Sequence, residues 1–127
     1  MQLNLEHPDH EFLLRGADGE SVRVNERTLT VSFILSPDRL VEDWPVREVK
    51  AMTPDALDAV LALGPEVILL GSGATQAFPP AVVLAHCLRR GVGMETMTNA
   101  AAARTFNVLA GEGRRVVAAF VLPGQRG

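Results

Sequence analysis

Apolar and polar residues alternate over Leu29-Thr30-Val31-Ser32-Phe33-Ile34-Leu35, with Leu29, Val31, Phe33 and Leu35 on one face at period two. That spacing predicts a half-buried antiparallel strand. The turn signal Gly16-Ala17-Asp18-Gly19 precedes a second short strand over Ser21 to Val24, so the N-terminal third reads as a small antiparallel β unit. It ends near Ser36-Pro37-Asp38, and a short helical turn over Leu40 to Trp44 is expected before Pro45 interrupts it.

From Thr53 onward the pattern changes to alternating strands and helices, which predicts a sheet with helices packed on it. Thr53 reads as an N-cap with Pro54 at the first helical position, opening a helix to about Leu63 that Gly64-Pro65 stops. Val67-Ile68-Leu69-Leu70 is continuously apolar, as in a strand covered on both faces. A helix over Ala81 to Arg90 follows Pro79-Pro80 and ends at Gly91. A short strand over Val92 to Glu95 leads to Thr98 or Asn99 as cap, a helix through Leu109, and a closing strand over Arg115 to Leu122. The fold class is therefore α/β, a single three-layer domain with a central mixed sheet, flanking helices and the small N-terminal antiparallel unit. The block Ala100 to Ala103 lets its helix lie close to the sheet, so a buried Ala103 replaced by leucine should overpack that contact.

With 127 residues, 47% of them hydrophobic, one domain over 1–127 is expected, with 123–127 as a flexible tail. The single cysteine, Cys87, excludes an internal disulfide and a cysteine-based zinc site and suits a reducing compartment. No basic and apolar leader opens the chain, and the longest purely apolar run, Val116 to Leu122, is far short of the roughly 18 residues of a membrane span. A soluble, cytoplasmic protein without membrane insertion is expected.

Charge argues against nucleic acid, since the net is -3. The first 63 residues carry 12 acidic and 6 basic side chains and the rest 3 and 6, so the second half could present an arginine-bearing surface to an anionic partner. Topology supplies the candidate site. In open α/β sheets ligands bind beyond the carboxyl ends of parallel strands, and two strands here end in Gly71-Ser72-Gly73-Ala74-Thr75 and Glu95-Thr96-Met97-Thr98-Asn99. Gly71, Ser72, Gly73, Glu95 and Thr98 are thus candidates for binding a small molecule or anion, in a binding protein or an enzyme, with glycines exposing backbone N–H groups near helix N-termini and Glu95 as acid/base or ligand acceptor.

Against that stands a structural reading in which the glycines only turn the chain and Glu95, partly buried, pairs with Arg104 or backbone N–H groups. Gln76 stands where a dinucleotide fingerprint needs glycine, and no Gly-Lys-Ser/Thr or Gly-x-Ser-x-Gly is present. His7 and His10 around Asp9 lack a third metal ligand, and Cys87 beside His86 reads as core. No catalytic set, metal site or cofactor is assigned.

The run Gly91 to Leu109, with Glu112-Gly113-Arg114-Arg115-Val116-Val117-Ala118-Ala119, resembles the domain of unknown function 498 family over about residues 20–122. Glu95, Met97, Thr105, Asn107, Glu112 and Arg114 match the family signature. The family pattern has Gly-Thr-Gly where this chain has Gly71-Ser72-Gly73, a cysteine near Ala102 or Ala103, and a tyrosine where Phe106 stands, so neither that thiol nor that phenol is available as a catalytic group here. The resemblance implies a bacterial single-domain protein with an α/β fold. Because the family includes the mitochondrial complex I assembly factor 3, it also implies a non-catalytic interaction or assembly module with a protein partner, possible partners including respiratory complex subunits.

Overall fold

The computed structural model describes residues 11–124. His7, Asp9 and His10, and tail residues 125–127, lie outside the described residues. Eight strands and three helices run in the order β1 (Leu14–Ala17), β2 (Val22–Val24), β3 (Arg27–Leu29), β4 (Val31–Leu35), β5 (Leu40–Val41), α1 (Asp58–Leu61), β6 (Val67–Gly71), α2 (Ala81–Arg89), β7 (Gly93–Met97), α3 (Asn99–Gly111) and β8 (Val116–Pro123). β1, β2 and β3 form an antiparallel sheet, and the other five form a mixed sheet in the order β5-β4-β8-β6-β7.

The apolar run at the end of the chain becomes the centre of that mixed sheet. β8 pairs antiparallel with β4 and parallel with β6. Its side chains divide by parity: Val116, Ala118, Phe120 and Leu122 enter a core with α3 and the small sheet, while Val117, Ala119 and Val121 enter a second core. That second core holds α2, α1 and the segment from Trp44 to Met52. Three layers follow, because every central strand is apolar on both faces. Phe33 and Phe120 stack across the β4–β8 pair with centroids 5.1 Å apart. Ala103 is 4% exposed in the α3 core, so Ala103→Leu is expected to lower stability by about 1–3 kcal/mol in chemical denaturation.

Four expectations change. The strand over Leu29 to Leu35 is broken at Thr30 into β3 and β4, where the chain leaves one sheet for the other, and β4 is buried on both faces rather than half-buried. Leu40 to Trp44 is not a helical turn: Leu40 and Val41 pair with β4, and the Trp44 N–H donates to Ser32 O. Hydrogen bonds to a neighbouring strand displaced the local preference. The helix expected over Thr53 to Leu63 is a 3-10 turn, Pro54–Leu57, running into the single α turn of α1. Its buried residues Leu57 and Val60 are three apart, and the Trp44 indole N–H takes the Ala56 carbonyl at 2.9 Å, while the Thr53 hydroxyl turns to the Asp55 carboxylate instead of the backbone. A strand not foreseen, β1, occupies the Gly16-Ala17 half of the expected turn.

Asn107 on α3 ties the small sheet to the rest. Its amide oxygen accepts the Leu14 N–H at 3.0 Å and its amide nitrogen donates to the Leu14 carbonyl at 2.7 Å, as a neighbouring strand would.

Candidate functional site

β6 and β7 are adjacent and parallel, from Val67↔Gly93 to Gly71↔Met97. The chain leaves β6 for α2 in one core and leaves β7 for α3 in the other, the arrangement that opens a crevice beyond strand ends. Here Asn99 fills the space between the strand ends, leaving outside it a shallow opening of about 200 Å³ among Gly73, Thr98 and the 17–19 turn. Its side chain is fully buried: Oδ1 accepts the Gly73 N–H at 3.1 Å, and Nδ2 donates to Asp18 O at 3.1 Å and Val121 O at 3.3 Å. Backbone bonds from Ser72 N–H to Met97 O, 2.8 Å, and from Asn99 N–H to Gly73 O, 2.9 Å, close the two loops on each other.

The five candidate residues separate accordingly. Gly71 is buried, and a Cβ there would collide with the Asn99 side chain and stand 2.9 Å from the Phe120 ring; close approach, rather than a positive φ, requires the glycine. Gly73 does have a left-handed φ of 109°. Thr98 is the N-cap of α3, its hydroxyl accepting the Ala101 N–H at 3.2 Å. The Ser72 oxygen lies 2.9 Å from Thr75 O and 3.1 Å from Met97 O and accepts the Ala77 N–H, so it braces the loop.

Glu95 is exposed in β7, contrary to the partial burial expected of it, and among the described residues neither it nor Arg104 has an ion-pair partner. The reason is position, since β7 is the outermost strand of the sheet. Of the other signature residues, Met97 packs against the α3 core, Thr105 is half-buried on α3, Glu112 ends α3, and Arg114 pairs with Glu66 at 3.3 Å. Burial pushes the Cys87 thiol up from its ordinary value, as suits a core residue.

A groove of about 540 Å³ lies beside the filled crevice. It exists because the β6–β8 pairing stops at Gly71↔Phe120 while β8 runs on to Pro123. Ala74, Ala77 and Pro123 supply most of its apolar surface over the buried Val49, Val121 and Leu122, and Ser72 and Gly73 form part of one wall. The exposed side chains of Arg47, Lys50, Glu20 and Glu48 stand around it, two of each sign. Arg47 reaches the Pro123 carbonyl at 3.4 Å. Glu20 is held there by the β1–β2 turn, in which the Asp18 carboxylate accepts the N–H groups of Glu20 and Ser21 at 2.9 Å and is thereby kept below the usual carboxylate range. Sequence reasoning missed Arg47 to Lys50, because no motif links them to Gly73 and only folding brings them together. Among the described residues no group of three His, Cys, Asp or Glu could hold a metal.

Comparison with known proteins agrees with this architecture. The solved structure of a Xanthomonas campestris protein is 58% identical, covers 100% of this chain and 96% of its own, and superposes with a TM-score of 0.84. A Mth938-like domain from Bordetella pertussis is 28% identical over 98% of this chain and 94% of its own, with a TM-score of 0.78. A Francisella tularensis protein named "13 kDa major membrane protein" is 31% identical over 85 residues, 66% of this chain and 69% of that one. The model of the DUF498/DUF598 family, proteins of unknown function, matches residues 14–121, and the chain belongs to that family.

Proposed function

We propose that this is a non-catalytic interaction module of the cytoplasm that holds an extended segment of a partner protein in the groove beside Gly73. The groove itself carries the reading: it is open rather than enclosed, apolar on its floor, and bordered by both charge signs. An extended peptide supplies an apolar side chain for such a floor and charges of either sign for its rim. Ser72 supports the same reading, since its hydroxyl is engaged with loop backbone instead of a general base. The family resemblance to the mitochondrial complex I assembly factor 3 points to the same class of role, with respiratory complex subunits as the partner to try first. The Francisella relative is named a membrane protein, whereas among the described residues no helix here is long and apolar enough to cross a membrane.

The alternative, a small molecule or anion held near Gly71 to Gly73, moves from the filled crevice into this groove, where Arg47 and Lys50 are its cations. One experiment separates the two. A photo-crosslinking residue is placed at Lys50 or Ala74 in the groove, or at the exposed Arg23 of β2 as control, in the native host. The groove positions are expected to capture one polypeptide that Arg23 does not, and the purified partner should bind the double variant Arg47→Glu/Lys50→Glu at least about tenfold more weakly. Capture of the same species from Arg23, or binding indifferent to the charge reversal, removes the interaction reading. A rise in Tm with a small anion but no crosslinked partner favours the alternative.

A further inference from the structure

We propose that the outer edge of β7 is guarded against strand addition by a second copy of this chain: Gln76 caps it and Glu95 repels its counterpart across it. The mixed sheet has two edges, and an unpaired edge is a template for another strand. One edge is β5, only two residues long and so a poor template. The other is β7, five residues that pair with β6 along one side.

The direction of its free groups follows from two bonds. Met97 O accepts the N–H of Ser72, which continues β6, so the backbone groups of Met97, Glu95 and Gly93 turn toward β6. Those of Met94 and Thr96 then face outward. On that outward side the Gln76 side-chain amide donates to the Thr96 carbonyl at 2.8 Å. Gln76 comes from the exposed loop after β6 and occupies the place that a partner strand's N–H would take.

Glu95 protects against the pairing that would otherwise suit the edge best. Two copies related by a twofold axis pair antiparallel, and the register that uses the free groups of both Met94 and Thr96 sets Met94 opposite Thr96 of the partner. Glu95 then stands directly opposite its own symmetry mate. Directly opposed side chains in such a pair have Cβ atoms roughly 4.5–5.5 Å apart, where like charges oppose pairing. This accounts for a carboxylate that is exposed, has no ion-pair partner among the described residues, and sits in the middle of an edge strand.

The test compares wild type with Gln76→Ala/Glu95→Thr by sedimentation velocity and by amide exchange at Met94 and Thr96. The double variant is expected to self-associate at least about tenfold more tightly than wild type, with both amides newly protected. Gln76→Ala/Glu95→Lys keeps a like charge at the edge and should stay monomeric. Both positions are exposed, and unchanged circular dichroism establishes that the variants fold. An unchanged sedimentation coefficient for the threonine variant, association without protection at Met94 and Thr96, dimerisation of the lysine variant, or a wild type already dimeric through β7 each overturns the proposal.

Discussion

Replacing Asn99 by alanine is expected to lower stability by about 2–4 kcal/mol, because it strands three buried backbone groups at once. The Gly73 N–H loses its acceptor, and the carbonyls of Asp18 and Val121 lose their donors. These three belong to different parts of the fold: the loop after β6, the β1–β2 turn and the end of β8. The expected Tm is lower by roughly 10 °C, read by calorimetry. Asn99→Asp sharpens the test. It retains the acceptor for Gly73 but presents a carboxylate oxygen to two carbonyls, and burial raises the pKa of such a group above its unfolded value. The unfolded chain then ionises more readily than the folded one, so the deficit relative to wild type is largest above the raised folded-state pKa and shrinks as pH falls from there to the unfolded carboxylate range. A stability near that of wild type in Asn99→Ala removes the crosslinking role.

Gly71→Ala is the second large effect, expected to cost about 1–3 kcal/mol by overpacking although only one methyl is added. The added Cβ meets the Asn99 side chain and the Phe120 ring, both fully buried, and neither has free space to move into. Relief should come from the other side of the contact. In the double variant Gly71→Ala/Asn99→Ala the clash with the amide is gone, so the combined loss falls short of the sum of the single losses by roughly 0.5–3 kcal/mol. Strict additivity in urea denaturation would show that Gly71 serves the loop rather than Asn99. A glycine needed only for its backbone freedom shows no such coupling, and Gly91, with a φ of 76° and open space where a Cβ would stand, is the comparison residue.

These two positions show how far the candidate site was legible. The glycine loop and the second loop are legible as strand ends, since Val67 to Leu70 is apolar throughout and glycine follows it, whereas their being neighbours is decided by the β6–β7 pairing. The crevice between them was expected to be open. An asparagine beside a cap residue gives no sign of whether its amide faces solvent or reaches three distant backbone groups. Glu95 was misplaced for a related reason. A glutamate in an apolar stretch suggests burial when its strand lies inside a sheet, but strand order, not sequence, put β7 at the edge.

What the sequence by itself determined is the set of elements whose signal lies in neighbouring residues. The two-faced strands β6 and β8, the helix ended by Gly91 and the cap at Thr98 are of this kind, because chain stiffness and side-chain periodicity act over a few residues. Tertiary structure alone decided the rest. It split one apolar run at Thr30 between two sheets, turned Leu40 and Val41 into a strand, filled the crevice with Asn99 and assembled the groove from segments as far apart as Glu20 and Leu122. Each of those outcomes depends on hydrogen-bond partners and contact surfaces distant in the chain, which no local pattern of residues encodes.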